Sequence, residues 1–263
     1  MTYCISSSFA WTNIQVPTEN EQHLSFGQTF TNELDPDDIS LLVWNIYKGE
    51  KENWPRDIKK LSYNKDLILL QEMLLTDEMN AVFDSFVYYQ FDAAISFIYK
   101  KTNVPTGVLT GSIASPSMAK AMRTQKREPV LKTPKTSLVT KYKLKGRDDS
   151  LLVINIHSIN FVSLKTFISQ FTKFNTTLKE HKGPIIFAGD FNTWSKERFN
   201  FMDRFMSSHN LKAIEFDQDD RMTFFGNPLD YIFIKGLNYS DAKVLSDFTS
   251  SDHKPLTVKL NVL

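Results

Sequence analysis

The feature of this 263-residue chain that most constrains its fold is a succession of short apolar runs, each bounded by polar or turn-forming residues. Short runs rich in β-branched residues form strands rather than helices, because a helix needs a longer stretch with 3.6-residue periodicity. The predicted strands are Leu41–Trp44, Leu67–Leu70, Ala94–Tyr99, Val108–Thr110, Ser137–Leu144, Leu151–Ile156, Pro184–Ala188, Leu229–Ile234 and Leu256–Leu260. With 21 Phe, 9 Tyr and 4 Trp, the chain can bury a sizeable core between them.

Helical periodicity occurs between some of these runs. The clearest case begins after a candidate N-cap at Ser163, with apolar residues at helical spacing over residues 164–178 and a stop at Gly183-Pro184. Weaker patterns predict helices over residues 51–61, 77–87 and 196–207. Many strands with fewer helices predict an α+β or layered α/β domain.

Two segments lack this periodicity. Residues 1–39 are rich in Ser, Thr, Asn and Gln, and we predict an irregular, acidic N-terminal extension that precedes a folded domain over residues 40–263. Residues 113–136 are predicted to form a long, basic, mobile loop. Loops of that length in compact domains are often functional.

The net charge of +1 conceals an uneven distribution. Residues 1–47 contain six acidic and no basic residues, whereas residues 100–147 contain twelve Lys or Arg and one acid, Glu128. A basic strip attracts anions and raises their encounter rate. The alternative is a solvated lysine-rich face that binds nothing.

Cysteine content and hydropathy predict a soluble cytoplasmic protein. Cys4 is the single cysteine, which excludes an internal disulfide and a thiolate metal cluster. No apolar run approaches the roughly 18–20 residues that span a bilayer. No Lys or Arg precedes Lys48, so the basic region of a signal peptide is missing.

Polar residues recur where the apolar runs end. They are Asn45, Gln71, Glu72, His157, Asp190, Asn192, Asp230, Asp252 and His253. An oxygen-rich set with few histidines favours a hard cation such as Mg²⁺ or Mn²⁺ over zinc. Taken singly, an Asn or Asp at such a position is an ordinary turn former or helix cap, and a lone histidine is a hydrogen-bonded core residue. Glu72 directly follows an apolar run, so it needs a partner or a metal if it is buried. His181 and His209 lie in polar contexts and are predicted at the surface.

The ordered motifs WN, QE, NIH, GDFN, LDYIF and SDH resemble those of the endonuclease/exonuclease/phosphatase superfamily over residues 40–263. The runs WNIYK, NIHxxNF, GDFNxW and REP are most similar to the bacterial YafD-like branch. The resemblance implies a four-layer α/β/β/α sandwich of two mixed β-sheets with flanking helices, and an active site at one end of it.

The resemblance also implies roles in a Mg²⁺-dependent reaction. Glu72 corresponds to the carboxylate that binds Mg²⁺ directly, Asn45 to the amide that orients the metal site, and Asp252 to an acid near the same ion. His253 corresponds to the histidine that contacts the scissile phosphate, and Asp230 to the acid that orients that histidine. Asp190 and Asn192 correspond to the pair that positions water and stabilises the transition state. His157 occupies a further catalytic position, where members of the superfamily have histidine or tyrosine. Arg127 in the basic loop would grip the substrate phosphate or lie free in solvent, and Asn160 would reach the substrate or serve as a plain turn residue.

The function that follows is a Mg²⁺-dependent phosphoesterase that cleaves phosphodiester bonds, with a nucleic acid as the substrate favoured by the basic strip. One alternative is a phosphomonoesterase, or a phosphodiesterase acting on a lipid or small molecule. The lipid version is disfavoured because no apolar hairpin for membrane insertion is evident. A further alternative is a non-catalytic binding protein. Abasic-site endonuclease and phosphoinositide phosphatase signatures are absent, since the chain reads QEML and NPLDY at those positions.

Overall fold

Two mixed β-sheets packed face to face form the centre of the computed structural model, which describes residues 13–129 and 132–263. All nine predicted strands are present. The strands are β1 Ile14–Gln15, β2 His23–Gly27, β3 Glu33–Leu34, β4 Ile39–Asn45, β5 Leu67–Leu74, β6 Gln90–Tyr99, β7 Val104–Ser112, β8 Met118–Arg123, β9 Thr136–Leu144, β10 Ser150–His157, β11 Ile185–Asp190, β12 Lys212–Ala213, β13 Thr223–Phe224, β14 Asn227–Pro228, β15 Asp230–Lys235, β16 Leu237–Val244 and β17 Leu256–Val262.

The two sheets have comparable layouts. The first has the order β1-β6-β7-β5-β4-β17-β16, and β2 also pairs with β6. The second has the order β12-β15-β11-β10-β9-β3, and β8 also pairs with β9. The central pairs β4–β5 and β10–β11 are parallel, whereas β4–β17 and β11–β15 are antiparallel. Each sheet is therefore mixed, as predicted.

Alternation along the strands divides most of the buried apolar residues among three large cores, and a fourth, small cluster holds Ala94, Val108, Ala121 and Leu138. Leu41 and Val43 of β4 face the second sheet, where they pack with Val153 and Ile186. Their neighbours on β4 point to the opposite face, because successive strand residues alternate. That face packs under α1 and α2, while the outer face of the second sheet packs under α3, α4 and α5. The result is the predicted four-layer sandwich.

The helices lie close to their predicted positions. They are α1 Trp54–Ser62, α2 Asp77–Asp84, α3 Leu164–Phe171, α4 Asn175–Glu180 and α5 Lys196–Ser208, with 3₁₀ turns at Glu19–Glu21, Tyr47–Gly49 and Thr172–Phe174. Ser163 caps α3 as predicted, since its side chain accepts a hydrogen bond from the backbone of Thr166. A 3₁₀ turn joins α3 to α4, so the predicted helix over residues 164–178 is divided into two α-helices by one tighter turn.

A polar bridge crosses the core between the sheets. Asn155 of β10 is fully buried, and its Nδ2 donates to the carbonyl oxygens of Leu70 at 3.2 Å and Leu109 at 2.9 Å. Its Oδ1 accepts a hydrogen bond from Nε2 of Gln71 at 2.8 Å. These contacts satisfy a polar side chain inside an apolar run and fix the two sheets relative to each other near the ends of β5 and β10.

Two predictions about individual segments are wrong. The extension is not irregular throughout, because β2 pairs with β6 over residues 23–27 and shorter strands add at 14–15 and 33–34; residues 1–12, with Cys4, lie outside the described part. The predicted loop 113–136 contains β8, which pairs with β9. In both segments the unpredicted strands lie at sheet edges. They are held by backbone pairing with a neighbouring strand and have no apolar pattern of their own.

His181 and His209 are buried rather than exposed. Nε2 of His181 lies 3.1 Å from the carbonyl oxygen of Pro184, and Nδ1 of His209 lies 2.9 Å from that of Phe205. Tertiary packing closes over both rings, and each ring finds a backbone partner. Within the described ranges, no helix is both long and apolar enough to cross a membrane.

Candidate active site

Polar side chains from both sheets meet at one end of the sandwich. Asn45 ends β4 and lies opposite Gln71 of the parallel strand β5. His157 ends β10 opposite Asp190 of β11, and Asp190 lies opposite Asp230 at the start of the antiparallel strand β15. Parallel strands end at the same edge of a sheet, and an antiparallel neighbour begins there. The register therefore gathers these residues at one edge.

Asp190 connects the two sheets at this edge. Its Oδ2 accepts a hydrogen bond from Nδ2 of Asn45 at 3.1 Å, and its Oδ1 accepts one from the backbone N–H of Asn192 at 2.9 Å. Nε2 of His157 lies 3.5 Å from Oδ2. Burial raises the pKa of Asp190, and the positive charge of His253 opposes that shift. The protonation state of Asp190 therefore depends on the charges of its neighbours His253 and Asp230.

His253 and Asp230 form a buried pair. Nδ1 of His253 lies 2.6 Å from Oδ2 of Asp230. Burial by itself lowers the pKa of His253, but the charge and hydrogen bond of Asp230, helped by Asp190 and Asp252, outweigh burial and raise that pKa. The ring is therefore positively charged at neutral pH and held in one orientation. The loop that carries it is anchored to β4, because Nε1 of Trp44 donates to the carbonyl oxygen of His253 at 3.1 Å.

Glu72 is aimed by a β-bulge in β5. The register with β7 shifts between Gln71 and Met73, and Glu72 has a left-handed φ of 57°. A bulge re-aims one side chain out of the ladder, and a strained backbone of this kind persists only where its surroundings fix it. The Glu72 side chain lines a cavity of about 90 Å³, and its Oε1 lies 3.8 Å from Nε2 of His157.

Two lysines that the sequence did not single out line the same cavity. They are Lys48 and Lys135. Burial lowers the pKa of Lys48, but Tyr99 and Glu72 outweigh it and raise that pKa. Lys135 is 18% exposed, and its Nζ lies 3.6 Å from Oε1 of the buried Glu128. The lining of the cavity therefore combines two lysines with two carboxylates, Glu72 and Glu128.

His157 differs from His253 in charge. Burial lowers the pKa of His157 well below the usual value, and the charges of Lys135, His253 and Lys48 lower it further. Its ring is neutral at physiological pH, so it can offer one N–H donor. The end of the sandwich thus combines one neutral and one positively charged imidazole.

The donor set fits a hard divalent cation. Glu72, Asp190 and Asp230 supply carboxylate oxygens, and Oδ1 of Asp230 is buried with no hydrogen-bond partner in the described part of the chain. Ligand atoms of Asp190, Asp230 and His253 lie within 4.8 Å of one another. Oxygen donors with few imidazoles suit Mg²⁺ or Mn²⁺.

Asp252 and Asn160 are not among these clustered ligand atoms, although the charge of Asp252 acts on His253. Asp252 is exposed, and its Oδ1 lies 3.3 Å from Oγ of Ser251. Oδ1 of Asn160 accepts a hydrogen bond from Nε1 of Trp194 at 2.7 Å, and its backbone N–H donates to Oε1 of Glu128 at 3.0 Å. Asn160 therefore acts in this structure as a support for its loop.

Asn192 connects two loops of the site, whereas Arg127 lines a separate groove next to it. Nδ2 of Asn192 donates to the carbonyl oxygen of Ser158 at 3.0 Å, which joins the loops after β10 and β11. Arg127 is exposed and lines a second, neighbouring groove, while the next residue, Glu128, lines the cavity beside Glu72. The structure thus places Arg127 next to the site but on a different surface.

Arg198 of α5 also supports the site, and no motif in the sequence indicated it. It is only 2% exposed, and its guanidinium donates to the carbonyl oxygens of Ile159, Val162 and Asn192 at 3.2, 2.9 and 3.1 Å. It lies 4.5 Å from the ring of Trp194. One side chain therefore ties the loop after β10 to the loop after β11. A lone arginine in a helix carries no sequence signal for such a role, whereas Lys48 at least stands within the WNIYK run.

The hairpin of β13 and β14 lies beside the loop after β11. Its tip exposes Phe225 at 82% and Phe224 at 42%. Nδ2 of Asn227 in the same hairpin donates to the carbonyl oxygen of Trp194 at 3.3 Å. Two exposed aromatic side chains are therefore present near the site, and no motif in the sequence indicated them.

Comparisons with known proteins agree with this architecture. The sequence matches the model of the Endonuclease/Exonuclease/phosphatase family over residues 42–253. A UPF0294 protein from Vibrio campbellii is 42% identical over 234 residues, which cover 87% of this chain and 80% of that protein. An endonuclease/exonuclease/phosphatase from Beutenbergia cavernae is 15% identical with a TM-score of 0.65, over 86% of this chain and 72% of that chain.

The catalytic domain of human Nocturnin, solved with a bound sulfate anion, is 20% identical with a TM-score of 0.61, over 94% of this chain and 100% of that one. At such identities the solved structures establish the fold. The family match spans most of the chain and includes both ends of the motif series, from β4 to the SDH loop. The chain therefore belongs to the Endonuclease/Exonuclease/phosphatase family.

Proposed function

We propose that this protein hydrolyses phosphodiester bonds of DNA or RNA with the help of a divalent cation, Mg²⁺ or Mn²⁺. The observation that carries the proposal is the meeting of two linked pairs where the strands of both sheets end. These pairs are His253 with Asp230, and Asp190 with Asn45. Together they bring a positively charged donor and a buried carboxylate to one end of the sandwich, where Asp190 lies 3.5 Å from His157 of the cavity wall.

The chemistry follows from where charge develops during hydrolysis. Negative charge grows on the nonbridging oxygens of the phosphate, and fixed donors aimed at it lower the barrier. His253, oriented by Asp230 through Nδ1, presents Nε2 as a charged donor. Asp190 is the proposed acceptor of the proton from the attacking water, with Asn192 and neutral His157 as further polar contacts.

The cation is assigned to Glu72, with Asn45 and Asp252 as its supporting polar residues. Ligand atoms of Asp190, Asp230 and His253 also lie close together, but Nδ1 of His253 is taken by Asp230. A cation held at Glu72 would polarise a phosphate oxygen as a Lewis acid and would neutralise the negative charge that develops on it.

A second candidate is a phosphomonoesterase acting on a small molecule. The observation that favours it is the small cavity beside Glu72, with Lys48 and Lys135 on its walls. A cavity of about 90 Å³ suits one phosphate group better than a length of strand.

Substrate profiling separates these functions. Wild-type protein, D190A, H253A and the control E78Q would be incubated with bis-p-nitrophenyl phosphate, p-nitrophenyl phosphate, plasmid, single-stranded DNA and RNA, in Mg²⁺ or in EDTA. Glu78 is exposed on α2, so E78Q should match wild type. We expect wild type and E78Q to cleave diesters only with metal, and both other variants to be inactive.

The alternative outcomes are distinct. Cleavage of monoesters alone would support the second candidate and refute the first. Failure to cleave any substrate in Mg²⁺ or Mn²⁺ would refute both and leave a non-catalytic binding protein. Diester cleavage by H253A at the wild-type rate would remove His253 from the mechanism.

Two finer assignments are part of the proposal. The runs WNIYK, GDFNTW and REP support membership of the YafD-like branch of the family. The single Cys4, which lies outside the described residues, supports a cytoplasmic location. Fractionation of cells that produce the tagged protein would test the location.

A further inference from the structure

An open groove lies on the other side of the segment that carries Glu128. Four cations line it, and we call it the basic groove: Lys120, Arg123, Arg127 and Lys173. Its volume is about 450 Å³, and its opposite wall comes from the N-terminal segment, including Val16, Glu19 and Gln22. Glu19 is a single acid among four bases, so the groove has a net positive charge.

The cations of the basic groove are crowded and held by backbone oxygens. Nη1 of Arg123 donates to the carbonyl oxygen of Pro17 at 2.7 Å, and Nζ of Lys173 donates to that of Arg123 at 2.9 Å. Burial lowers the pKa of both side chains, while the charge of Glu19 acts in the opposite direction on both. Like charge adds to the lowering, from Arg127 on Arg123 and from Arg123 on Lys173. The four cations thus lie close enough to attract one polyanion together.

A second surface beside the site is aromatic. The ring of Phe161 is stacked on that of Trp194, with centroids 6.4 Å apart and planes at 30°. Phe161 is 59% exposed and has a left-handed φ of 51°. We call this pair the aromatic shelf. A bulky residue held in that backbone region with its ring in water costs free energy, and such cost concentrates at functional sites.

The shelf is rigid on its inner side. Nε1 of Trp194 donates to Oδ1 of Asn160 at 2.7 Å, and the guanidinium of Arg198 lies 4.5 Å from the Trp194 ring. Oδ1 of Asn160 also accepts a hydrogen bond from the backbone N–H of Phe161 at 2.8 Å. The two rings are therefore presented as a fixed flat surface.

Glu128 joins the groove, the cavity and the shelf. It follows Arg127 of the basic groove and lines the cavity together with Glu72. Its Oε1 accepts a hydrogen bond from the backbone N–H of Asn160, the residue before Phe161. The basic groove and the aromatic shelf thus adjoin the same candidate reaction centre.

We propose that the basic groove and the aromatic shelf together bind a single-stranded nucleic acid, with phosphates along the groove and one base stacked on the shelf. This inference rests on the proposed phosphodiesterase function and names its substrate class. A positively charged groove combined with exposed aromatic rings is how proteins hold single strands, because every base offers a face for stacking. In a duplex those faces are already stacked within the helix.

An anionic membrane is the competing occupant, and the charges argue against it. The exposed hairpin tip at Phe225 could insert into lipid, but the residues that lead to it are acidic and exposed. These acids are Glu215, Asp217, Asp219 and Asp220. An acidic approach is repelled by anionic headgroups, which attract basic segments.

The test is a binding measurement in EDTA, so that hydrolysis does not enter. Fluorescence anisotropy would follow a labelled single-stranded oligonucleotide and its duplex over a range of salt concentrations. We expect wild type to prefer the single strand. The variant K120E/R127E should bind more weakly, with a salt slope smaller by about 1.4, because each lost phosphate contact removes about 0.7.

The shelf has its own variants. F161N removes the ring and places asparagine, which tolerates left-handed φ, so we expect roughly tenfold weaker single-strand binding with little change in salt slope. F161W keeps a stacking surface and should retain affinity. The control K179E/K212E makes the same charge change at exposed lysines outside both surfaces and should match wild type.

Several results would overturn the inference. They are equal binding by K120E/R127E and the control, wild-type affinity in F161N, equal affinity for duplex and single strand, or preference for phosphatidylglycerol vesicles over the oligonucleotide. Hydrolysis of bis-p-nitrophenyl phosphate in Mg²⁺ reports the proposed function separately. Binding without hydrolysis would therefore refute the phosphodiesterase alone, and hydrolysis without strand binding would refute this inference alone.

Discussion

Replacing Arg198 with methionine should destabilise the two loops that Arg198 holds together beneath the candidate active site. The guanidinium donates to three backbone carbonyls, on Ile159, Val162 and Asn192. Burial lowers the pKa of Arg198 to about 10, so it stays charged at neutral pH. Methionine preserves much of the apolar stem but provides no donor, and the three carbonyl oxygens lose their charged partner.

The magnitude follows from these contacts. A hydrogen bond to a charged group contributes about 1.5 kcal/mol at the lower end of its range, so three give about 4.5 kcal/mol. Relief of the cost of burying the guanidinium returns part of this, and we expect a net loss of about 3 kcal/mol in the free energy of unfolding. For a chain of this size, that corresponds to a fall in Tm of roughly 6–12 °C.

Thermal unfolding followed by circular dichroism would measure the effect. The matched control is R204M, because Arg204 lies on the same helix and is exposed, so its loss should cost less than about 0.5 kcal/mol. Hydrolysis of bis-p-nitrophenyl phosphate at a temperature where both variants are folded should show a lower kcat for R198M, since the loops with His157 and Asn192 relax. A Tm and kcat equal to those of R204M would refute the reasoning.

Three further predictions concern the Asp230–His253 pair, the Asn155 bridge between the sheets and the end of strand β11. D230N should lower the pKa of His253 and reduce diester hydrolysis about 100-fold or more, because the imidazolium loses its partner. NMR titration in EDTA would measure the pKa, and an unchanged value would contradict this prediction. N155L should lose about 2–3 kcal/mol of unfolding free energy in urea, because Asn155 bridges the two sheets. G189A should fail to fold or lose more than about 3 kcal/mol, since Gly189 has a φ of 133° and a Cβ there would lie 2.1 Å from the carbonyl oxygen of Ile156 in the neighbouring strand β10. A soluble variant with wild-type Tm would show that the two strands can shift apart at this point.

The central strands were predictable because their signal is local. Runs such as Leu67–Leu70 and Leu151–Ile156 are apolar, short and bounded by polar residues, so any fold that buries them makes them strands. The polar residues at their ends were also visible, and the order of the motifs indicated the family. Strand ends gather at one edge of a sheet, which is why sequence spacing already suggested a common site.

The edge strands were not predictable in this way. The segments that form β2 and β8 have no sustained apolar alternation, and their order comes from pairing with β6 and β9. The surface prediction for His181 failed because its polar neighbours in the sequence do not show which residues pack against its ring in the folded chain. The pairing of β2 with β6 in particular joins segments that lie far apart in the chain.

The sequence by itself determined which chemical groups the site has: carboxylates, two imidazoles and carboxamides at strand ends. Only the tertiary structure decided their partners and charges, because those depend on contacts between distant segments. Asp190 meets Asn45 across 145 positions, and His253 gains its charge from Asp230, whereas buried His157 loses its own. Hydrogen bonding and desolvation act over a few ångströms of space, and sequence spacing alone does not fix those distances.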